Sequence, residues 1–413
     1  MVNEALKTEL PEDWDAVTLG DYAQIFRGGS PRPIQDFITT SDKGINWIKI
    51  GDVGVGAKYI ASTEEKIIPE GVSRSRMVYE GDLILSNSMS YGRPYIMNIE
   101  GCIHDGWLVI QKYDKTFYKD YLYYALSSEL TMQQYITMAA GSSVQNLNKD
   151  KVSKVTLPCP QIPEQKKIAE ALSAIDSLLV DLQKLIQKKK NIRQGTLQKL
   201  IAGKTRLSGF NGDWIKINLS KNSRLKARIG WQGLTTAEYL DEGYSYLITG
   251  TDFKDGQINW NGCHYVDYDR YAQDPNIQVS NGDLLLTKDG TIGKVAYVTG
   301  LKRPATLNSG IFLVKPITDA YTAHFMFYVL ESSVFKDFLQ QLSAGSTINH
   351  LYQKDLVKFE LFVPPTKEEQ EAIAGILFDM DSEIHKLEEK LSKIQKVKQG
   401  MMEELLTGKV RLV

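Results

Sequence analysis

The sequence predicts an α+β protein with an internal pseudo-two-fold repeat, in which two mainly β modules are separated by two long antiparallel coiled-coil helices. Three observations predict it. A segment near the end of each half recurs, short apolar runs between Gly- and Pro-rich turns fill the remainder, and each recurring segment contains one long amphipathic stretch. At 413 residues the chain is long enough for two or three domains with their own cores.

The repeat is clearest in residues 140–207 and 344–412. Both segments contain, in the same order, AGS[ST], a Pro-rich strand end, EQ..IA..L, a QG pair and GK.RL. Upstream, GDLILSNSMSYGR at 81–93 matches GDLLLTKDGTIGK at 282–294 in its strand, turn and glycine. The predicted boundaries are module one at residues 1–160, the first helix at 161–207, module two at 208–364 and the second helix at 365–413.

The modules are predicted to be mainly β. Runs such as INWIKI, DLILSN and GWLVIQ alternate with turn residues, which is typical of a compact domain of short strands. Helical spacing interrupts this pattern at 120–139 and again at 323–344. Aromatic residues at helical spacing are more typical of a packed core than of a cofactor or base-stacking site. We therefore predict one core helix at this place in each module.

Each long helix is predicted to span roughly 38 residues, or about 55 Å, and is too long to lie within one compact module. Its apolar residues recur at alternating steps of three and four, the a and d spacing of a coiled coil. The predicted seam comprises Ile168, Leu172, Ile175, Leu179, Leu182 and Ile186 in the first helix and Ile373, Leu377, Met380, Ile384, Leu387 and Leu391 in the second.

The charge distribution favours antiparallel pairing of these helices. The first helix is basic over 184–204, whereas the first half of the second is rich in Glu and Asp. Antiparallel packing sets these opposite charges against each other, although exposed pairs contribute only about 0.2 to 1 kcal/mol each. The alternative is that each helix packs on an unrelated partner protein.

Composition narrows the class of protein. Cys102, Cys159 and Cys263 lie far apart without a CxxC pair, which predicts neither a disulfide framework nor a thiolate zinc site. The beginning MVNEALKTELPEDW has no apolar signal region, and no run of eighteen apolar residues occurs. We expect a cytoplasmic protein with no membrane contact and no bound metal.

The net charge is only −1, but basic residues are concentrated in one stretch. Residues 183–237 contain thirteen Lys or Arg and a single acid, Asp213. Such a run is often a solvated helix face followed by a basic loop. The alternative is a surface for DNA or for an acidic partner.

Catalytic motifs are absent from the sequence. The GKT at 203–205 lacks the earlier glycine of a phosphate-binding loop and ends a predicted helix instead of starting one. No NPP[FY], HExxH or GxSxG occurs, and the five histidines are scattered. We therefore predict no catalytic residues and a binding protein. The alternative is a stand-alone DNA methyltransferase or nuclease.

The order of variable module, AGS[ST] turn and EQ..IA..L helix ending in GK.RL, followed by all of it again, resembles the specificity subunit of a type I restriction-modification enzyme. The resemblance covers nearly the whole chain and is most specific in 140–207 and 344–412. It implies two target-recognition domains that each read half of a bipartite, asymmetric site in double-stranded DNA.

The same resemblance implies the partners. The helices would fix the gap between the half-sites and dock two methyltransferase subunits, and restriction/translocase subunits would join the full complex. S-adenosylmethionine would be bound by the methyltransferase for adenine N6 methylation, so this chain would hold no cofactor.

DNA contacts require polar or basic side chains on loops that reach a groove, and loop position selects the candidates. In module one they are Arg27, Arg32, Arg74, Arg76, Asn87, Ser88, Tyr91 and Arg93. In module two they are Lys226, Arg228, Trp231, Gln232, Lys288, Asp289, Thr291 and Lys294. The turn after GDL[IL]L stands out because it occupies equivalent places in both modules.

Overall fold

The computed structural model describes residues 10–54, 56–87, 92–139, 147–229, 233–343 and 350–413. It divides into two compact units. Unit 1 is formed by Met1–Gln183 together with Glu389–Val413, and unit 2 is formed by Lys184–Glu388. Each unit therefore contains one module and a part of each long helix.

Unit 1 is built mainly from short strands. They are β1 Asp15–Thr18, β2 Gln24–Arg27, β3 Ile38–Thr39, β4 Ile45–Ile48, β5 Tyr59–Ile60, β6 Glu65–Ile67, β7 Arg76–Val78, β8 Leu83–Ser86, β9 Pro94–Met97, β10 Gly101–Ile103, β11 Trp107–Gln111 and β12 Thr156–Cys159. Its helices are α1 Leu19–Tyr22, α2 Lys119–Leu126, α3 Glu129–Ala139 and α4 Lys149–Ser153. The first long helix, α5 Ile162–Ile201, begins in this unit.

Unit 2 repeats the plan. Its strands are β13 Ile215–Asn218, β14 Ser223–Lys226, β15 Ser245–Ile248, β16 Phe253–Lys254, β17 Gln257–Ile258, β18 His264–Val266, β19 Gln278–Val279, β20 Leu284–Thr287, β21 Val295–Tyr297, β22 Ala305–Leu307, β23 Ile311–Pro316 and β24 Glu360–Val363. Its helices are α6 Leu219–Asn222, α7 Tyr268–Ala272, α8 Ala323–Glu331, α9 Ser333–Ser343 and α10 Gln353–Leu356. The second long helix is α11 Lys367–Leu406.

The sheets confirm the internal repeat. In unit 1 one sheet has the order β2-β11-β8-β9-β5, and the matching sheet of unit 2 has the order β14-β23-β20-β21. A second sheet runs β3-β6-β4-β10-β7 in unit 1 and β18-β15-β22-β19 in unit 2. Both second sheets contain one parallel pair, β4 with β10 and β15 with β22. The shared strand order shows that the diverged modules keep one fold.

The single core helix predicted for each module is broken into two, and that prediction was wrong in this respect. The breaks fall at Ser128 and Ser332, each of which donates its hydroxyl to the carbonyl three residues earlier, at 2.7 and 2.6 Å. The same hydroxyls accept backbone N–H groups of the following helix. Because serine satisfies backbone groups in this way, it ends one helix and caps the next.

The aromatic stripes of these helices lie in the cores, as predicted. Tyr121, Tyr124 and Tyr135 of unit 1 are fully buried, and so are Phe325 and Phe335 of unit 2. Each stripe packs on the inner face of its module's sheet and on the long helices. These rings are therefore not available for stacking on bases.

The two long helices pair antiparallel within each unit, which confirms the predicted arrangement. In unit 2, Lys189 pairs with Glu383 at 2.7 Å and Arg206 pairs with Glu369 at 2.7 Å. Residue numbers therefore decrease along α11 as they increase along α5. In unit 1, Lys398 pairs with Asp176 at 2.6 Å.

Seven of the twelve predicted seam positions are buried. Those with at most 8% exposure are Ile168, Leu172, Leu182, Ile186, Ile373, Leu377 and Ile384. The remaining ones, Ile175, Leu179, Met380, Leu387 and Leu391, are half-buried. Ile168 and Leu172 share the core of unit 1 with Leu405 and Leu406 from the far end of α11. The seam therefore merges with the module core at that point.

The repeated EQ and GK.RL motifs are explained by a contact between them. In unit 1 Arg411 donates to the buried carboxylate of Glu164 at 2.8 and 2.9 Å and also to Asp13. These bonds hold the pKa of Glu164 below its usual value. Arg206 makes the equivalent bidentate contact to Glu369 in unit 2. Each motif therefore fastens the end of one helix to the beginning of the other.

Candidate nucleic-acid interface

The turn between β10 and β11 gathers two of the arginines predicted to contact DNA. The carboxylate of Asp105 in this turn lies 3.9 Å from the guanidinium of Arg27 and 3.7 Å from that of Arg32. The Asp105 carbonyl also accepts a hydrogen bond of 3.0 Å from Arg27 Nε. The Arg27 side chain is 56% exposed and that of Arg32 82% exposed, so most of their donors face solvent.

Two further predicted arginines lie beside them. Arg76 Nε donates to the carbonyl of Arg27 at 3.1 Å, and its guanidinium lies 4.7 Å from the ring centre of Phe26. The guanidinium of Arg74 lies 5.2 Å from the ring centre of Phe37. Stacking on a ring restricts an arginine without consuming its N–H donors. We call Arg27, Arg32, Arg74 and Arg76 the arginine cluster.

Two glycines allow the loop after β2 to approach the other parts of this site. A Cβ at Gly28 would lie 2.2 Å from the carbonyl oxygen of His104, and a Cβ at Gly29 would lie 2.9 Å from that of Arg74. No side chain fits at such distances. The Gly-Gly pair is therefore what permits the loop to bring the arginine cluster together.

A cleft of about 1030 Å³ opens beside Asp105. Its polar lining includes Ser30, Arg32, Lys49, Glu65, His104 and Asp105. Partial burial opposes ionisation of Asp105, but the hydrogen bond from Ser30 and the nearby His104 and Arg27 hold its pKa below the usual value. The cleft thus presents an ionised acceptor beside guanidinium donors.

The other module-one candidates are dispersed. Asn87 is buried and donates its side-chain amide to the carbonyl of Asp105 at 2.9 Å, so this amide is used inside the module. Arg93 is exposed, just before β9. Ser88 and Tyr91 lie outside the described residues.

Four module-two candidates share the turn that follows β20, namely Lys288, Asp289, Thr291 and Lys294. The Thr287 hydroxyl shapes this turn, because it donates to the Thr291 carbonyl at 2.6 Å and accepts from the Lys294 N–H at 2.9 Å. Asp289 pairs with His350 and lies 3.5 Å from Lys288 Nζ. The side chains of Thr291 and Lys294 are exposed.

In both modules the leucine four positions after the AGS[ST] segment contacts the turn that follows the GDL[IL]L strand. The Leu147 N–H donates to the carbonyl of Asn87 at 3.1 Å, and the Leu351 N–H donates to that of Lys288 at 2.8 Å. The AGS[ST] residues themselves lie outside the described residues. In both modules, therefore, the same leucine position lies against the turn that follows the GDL[IL]L strand.

The remaining module-two candidates differ in exposure. Arg228 is 2% exposed, and its guanidinium donates to the Leu307 carbonyl at 2.8 Å and to the Thr306 hydroxyl at 3.2 Å. Burial also lowers the pKa of Arg228. Lys226 is exposed at the end of β14. Trp231 and Gln232 lie outside the described residues.

Sequence reasoning missed Asp105, His104 and Ser30. The His104 Nδ1 accepts the Gly106 N–H at 2.8 Å, and its Nε2 faces Asp105 at 3.0 Å. The only available signal was the Asp-Gly dipeptide at 105–106, which indicates a tight turn. Its place beside the arginines follows from the pairing of β2 with β11, which the sequence does not reveal.

The described ranges contain neither a cluster of metal ligands nor a membrane-spanning helix. No group of three or more His, Cys, Asp or Glu side chains converges there as a metal site. In that same part of the chain, no helix combines the length and apolar character needed to cross a membrane.

Comparison with known proteins agrees with the repeat. A family model of the type I restriction modification DNA specificity domain matches residues 11–194 and matches again at 204–396. The two matches correspond to the two halves of the duplication.

Individual relatives align along nearly the whole chain. The MjaVIII specificity subunit of the type I restriction enzyme from Methanocaldococcus jannaschii is 24% identical, over 98% of this chain and 94% of that protein. The EcoBI specificity subunit from Escherichia coli is 22% identical, over 97% of this chain and 86% of that protein.

A solved structure has the same fold. The S subunit of a type I restriction-modification system from M. genitalium superposes with a TM-score of 0.60, over 96% of this chain and 98% of that chain. Its sequence identity of 16% means that this likeness concerns the fold alone.

Proposed function

Since this chain belongs to the type I restriction modification DNA specificity family, we propose that its two modules read the two halves of one bipartite, asymmetric DNA site. The observation that carries the proposal is that the two modules share one fold but differ in the side chains available to contact DNA. Strand order agrees between the units, but Arg27 and Arg32 lie beside Asp105 in unit 1, whereas the equivalent turn of unit 2 is Asn308-Ser309-Gly310. Different readers require different half-sites, so the target is not a palindrome.

In this proposal the recognition domains are residues 1–160 and 208–364, and the helices at 161–207 and 365–413 set the gap between half-sites. The arginine cluster and Arg93 contact DNA from module one. From module two, DNA is contacted by Lys226 and by Thr291 and Lys294. Lys288 and Asp289 lie at the base of the turn that contains Thr291 and Lys294. Arginine suits guanine edges, and lysine suits phosphates. Asn87 and Arg228 support these loops from within.

Catalysis belongs to partner subunits. Two methyltransferase subunits bind the long helices, hold S-adenosylmethionine and methylate adenine N6, and restriction/translocase subunits join through them. Proteins of this family do not bind a cofactor themselves.

One face of each long helix suits such a partner. It consists of Lys188, Ile192 and Gly195 on α5 and of Lys393, Val397 and Gly400 at the equivalent positions on α11. Their spacing puts each trio on a single helix face. Ile192 is 46% exposed and Val397 53% exposed. Neither lysine has an ion pair in the described part of the chain. We call these trios the docking faces.

Among the residues that the structure describes, no contact explains the paired glycines Gly195 and Gly400. Glycine inside a helix is destabilising by about 0.5 to 1 kcal/mol relative to alanine. A Cβ at Gly195 or at Gly400 would meet nothing within 4 Å, so this protein would accept a larger residue. A partner that packs closely on both faces accounts for them, and the lysines call for carboxylates on that partner. Two equivalent faces fit two copies of one partner.

Gly195→Leu is expected to remove one docked methyltransferase subunit while leaving the chain as stable as before or more stable. Leucine favours a helix but projects where the partner approaches. The assay is co-expression with the cognate methyltransferase subunit, with the mass of the complex read by light scattering. A loss from two bound subunits to one is predicted.

Gly375→Leu is the matched control, because Gly375 also lies within a long helix with nothing within 4 Å of a Cβ but is outside the docking faces. If Gly195→Leu and Gly375→Leu assemble alike, the docking faces are misplaced.

The function itself is tested with purified chain, alone and with its methyltransferase subunit. We expect methyl transfer to DNA only when both are present, and a gel shift that depends on sequence and weakens steeply with salt. Turnover by the chain alone would favour the stand-alone enzyme. A complex that binds DNA without a sequence-dependent shift would contradict sequence recognition by this chain.

A further inference from the structure

Asp105 is the point at which the polar groups of the module-one interface converge. Its carboxylate oxygen Oδ1 accepts from Ser30 Oγ at 2.8 Å and faces His104 Nε2 at 3.0 Å. Its other oxygen, Oδ2, is 3.7 Å from Arg32 and 3.9 Å from Arg27. One carboxylate therefore has a fixed edge inside the module and another edge directed at two exposed guanidinium groups.

We propose that Asp105 is a specificity-determining residue that, with Arg27 and Arg32, selects a G·C base pair in the half-site read by module one. This inference rests on the proposed function, in which module one reads DNA. Asp105 positions the two arginines, and its carboxylate is the hydrogen-bond acceptor among these three side chains.

The loose contacts at Oδ2 leave capacity for a ligand. Distances of 3.7 and 3.9 Å exceed those of hydrogen bonds, so the arginines are attracted to the carboxylate without being locked to it. Within the described residues, Oδ2 accepts no hydrogen bond. The Asp105 side chain is 31% exposed and lines the cleft, so a base edge can reach Oδ2.

The chemistry of the set matches one base pair. In the major groove, guanine presents two acceptors, O6 and N7, which arginine contacts with two donors, and cytosine presents the N4 amino donor, which a carboxylate accepts. An A·T pair exchanges these two groups, because adenine has the N6 amino donor where guanine has O6, against the guanidinium, and thymine has the O4 acceptor where cytosine has N4, against the carboxylate. Donors beside an ionised acceptor therefore favour G·C.

The set is particular to module one. The serine of unit 2 that corresponds to Asp105, Ser309, carries no charge, and the buried Arg228 points inward to strand β22. Only the half-site that module one reads is therefore expected to depend on Asp105.

The test uses the full chain in complex with its methyltransferase subunit and maps methylated sites on a randomised DNA library. Asp105→Ala and Asp105→Asn are compared with wild type and with Asp42→Ala, an exposed carboxylate of the same module. We expect the wild-type motif to contain a G·C pair at one position of one half-site. Both Asp105 variants should accept other base pairs there about 10-fold more often. Asp42→Ala should not change the motif.

The second half-site is an internal control and should keep its letters in every variant. An unchanged motif in both Asp105 variants would overturn the inference and leave the proposed function standing. So would a uniform loss of methylation at all sites with a lower melting temperature, since that is the signature of a packing role. A wild-type complex with no sequence motif would overturn the proposed function as well.

Discussion

Replacing Arg27 and Arg32 together by alanine is expected to weaken specific DNA binding by about 100-fold. A good bidentate arginine contact to a base contributes about 1 to 3 kcal/mol of discrimination, and each factor of ten in affinity corresponds to about 1.4 kcal/mol. Both side chains are more than half exposed and sit beside the cleft, so the loss falls on the DNA-bound state. Titration of the complex with its target duplex at fixed salt measures the dissociation constant and so the loss of affinity.

Lys115→Ala is the matched control for this pair, because Lys115 is an exposed cation of the same module outside the arginine cluster. Lys115→Ala should change the affinity of the complex for its target duplex by less than the experimental error. Equal losses for the double variant and for Lys115→Ala would mean that module one binds DNA only through its general charge.

Arg193→Met is expected to lower the free energy of unfolding by about 2 kcal/mol. Arg193 donates to both carboxylate oxygens of Asp381, at 2.8 and 3.0 Å, and pairs with Glu331, with its own side chain only 13% exposed. Removing it leaves two carboxylates partly buried without their cation. The estimate is below the value for fully buried pairs because Asp381 and Glu331 are about one third exposed. Urea unfolding measures the difference.

The control is Lys199→Leu, a similar loss of charge at an exposed position of the same helix. It should leave the unfolding midpoint nearly unchanged. If Arg193→Met unfolds at the same urea concentration as wild type, the contact between α5 and α11 in unit 2 does not depend on this ion pair.

Much of the fold could be predicted because the sequence contains a duplication, so that each half can be aligned with the other. The recurrence of EQ..IA..L and GK.RL located both long helices, and the opposite charges of their halves indicated antiparallel pairing. The family match confirms that this chain is a DNA specificity protein and not an enzyme. The matching GDL[IL]L segments proved to be equivalent strands, β8 and β20.

The rest depends on contacts between residues distant in sequence. The sequence around Glu164 does not reveal that Arg411, 247 residues later, binds its carboxylate. A loop position alone did not distinguish the exposed Arg32 from the buried Arg228. Asp105 was missed for the same reason, since its neighbours are set by strand pairing.

The most direct test of the central claim is a genome-wide map of methylated adenines in cells that contain the methyltransferase subunit, with and without this chain. We predict a single bipartite motif with a fixed gap and two different half-sites, present only when the chain is present. A motif that persists without the chain, or a continuous palindrome that requires it, would contradict the account.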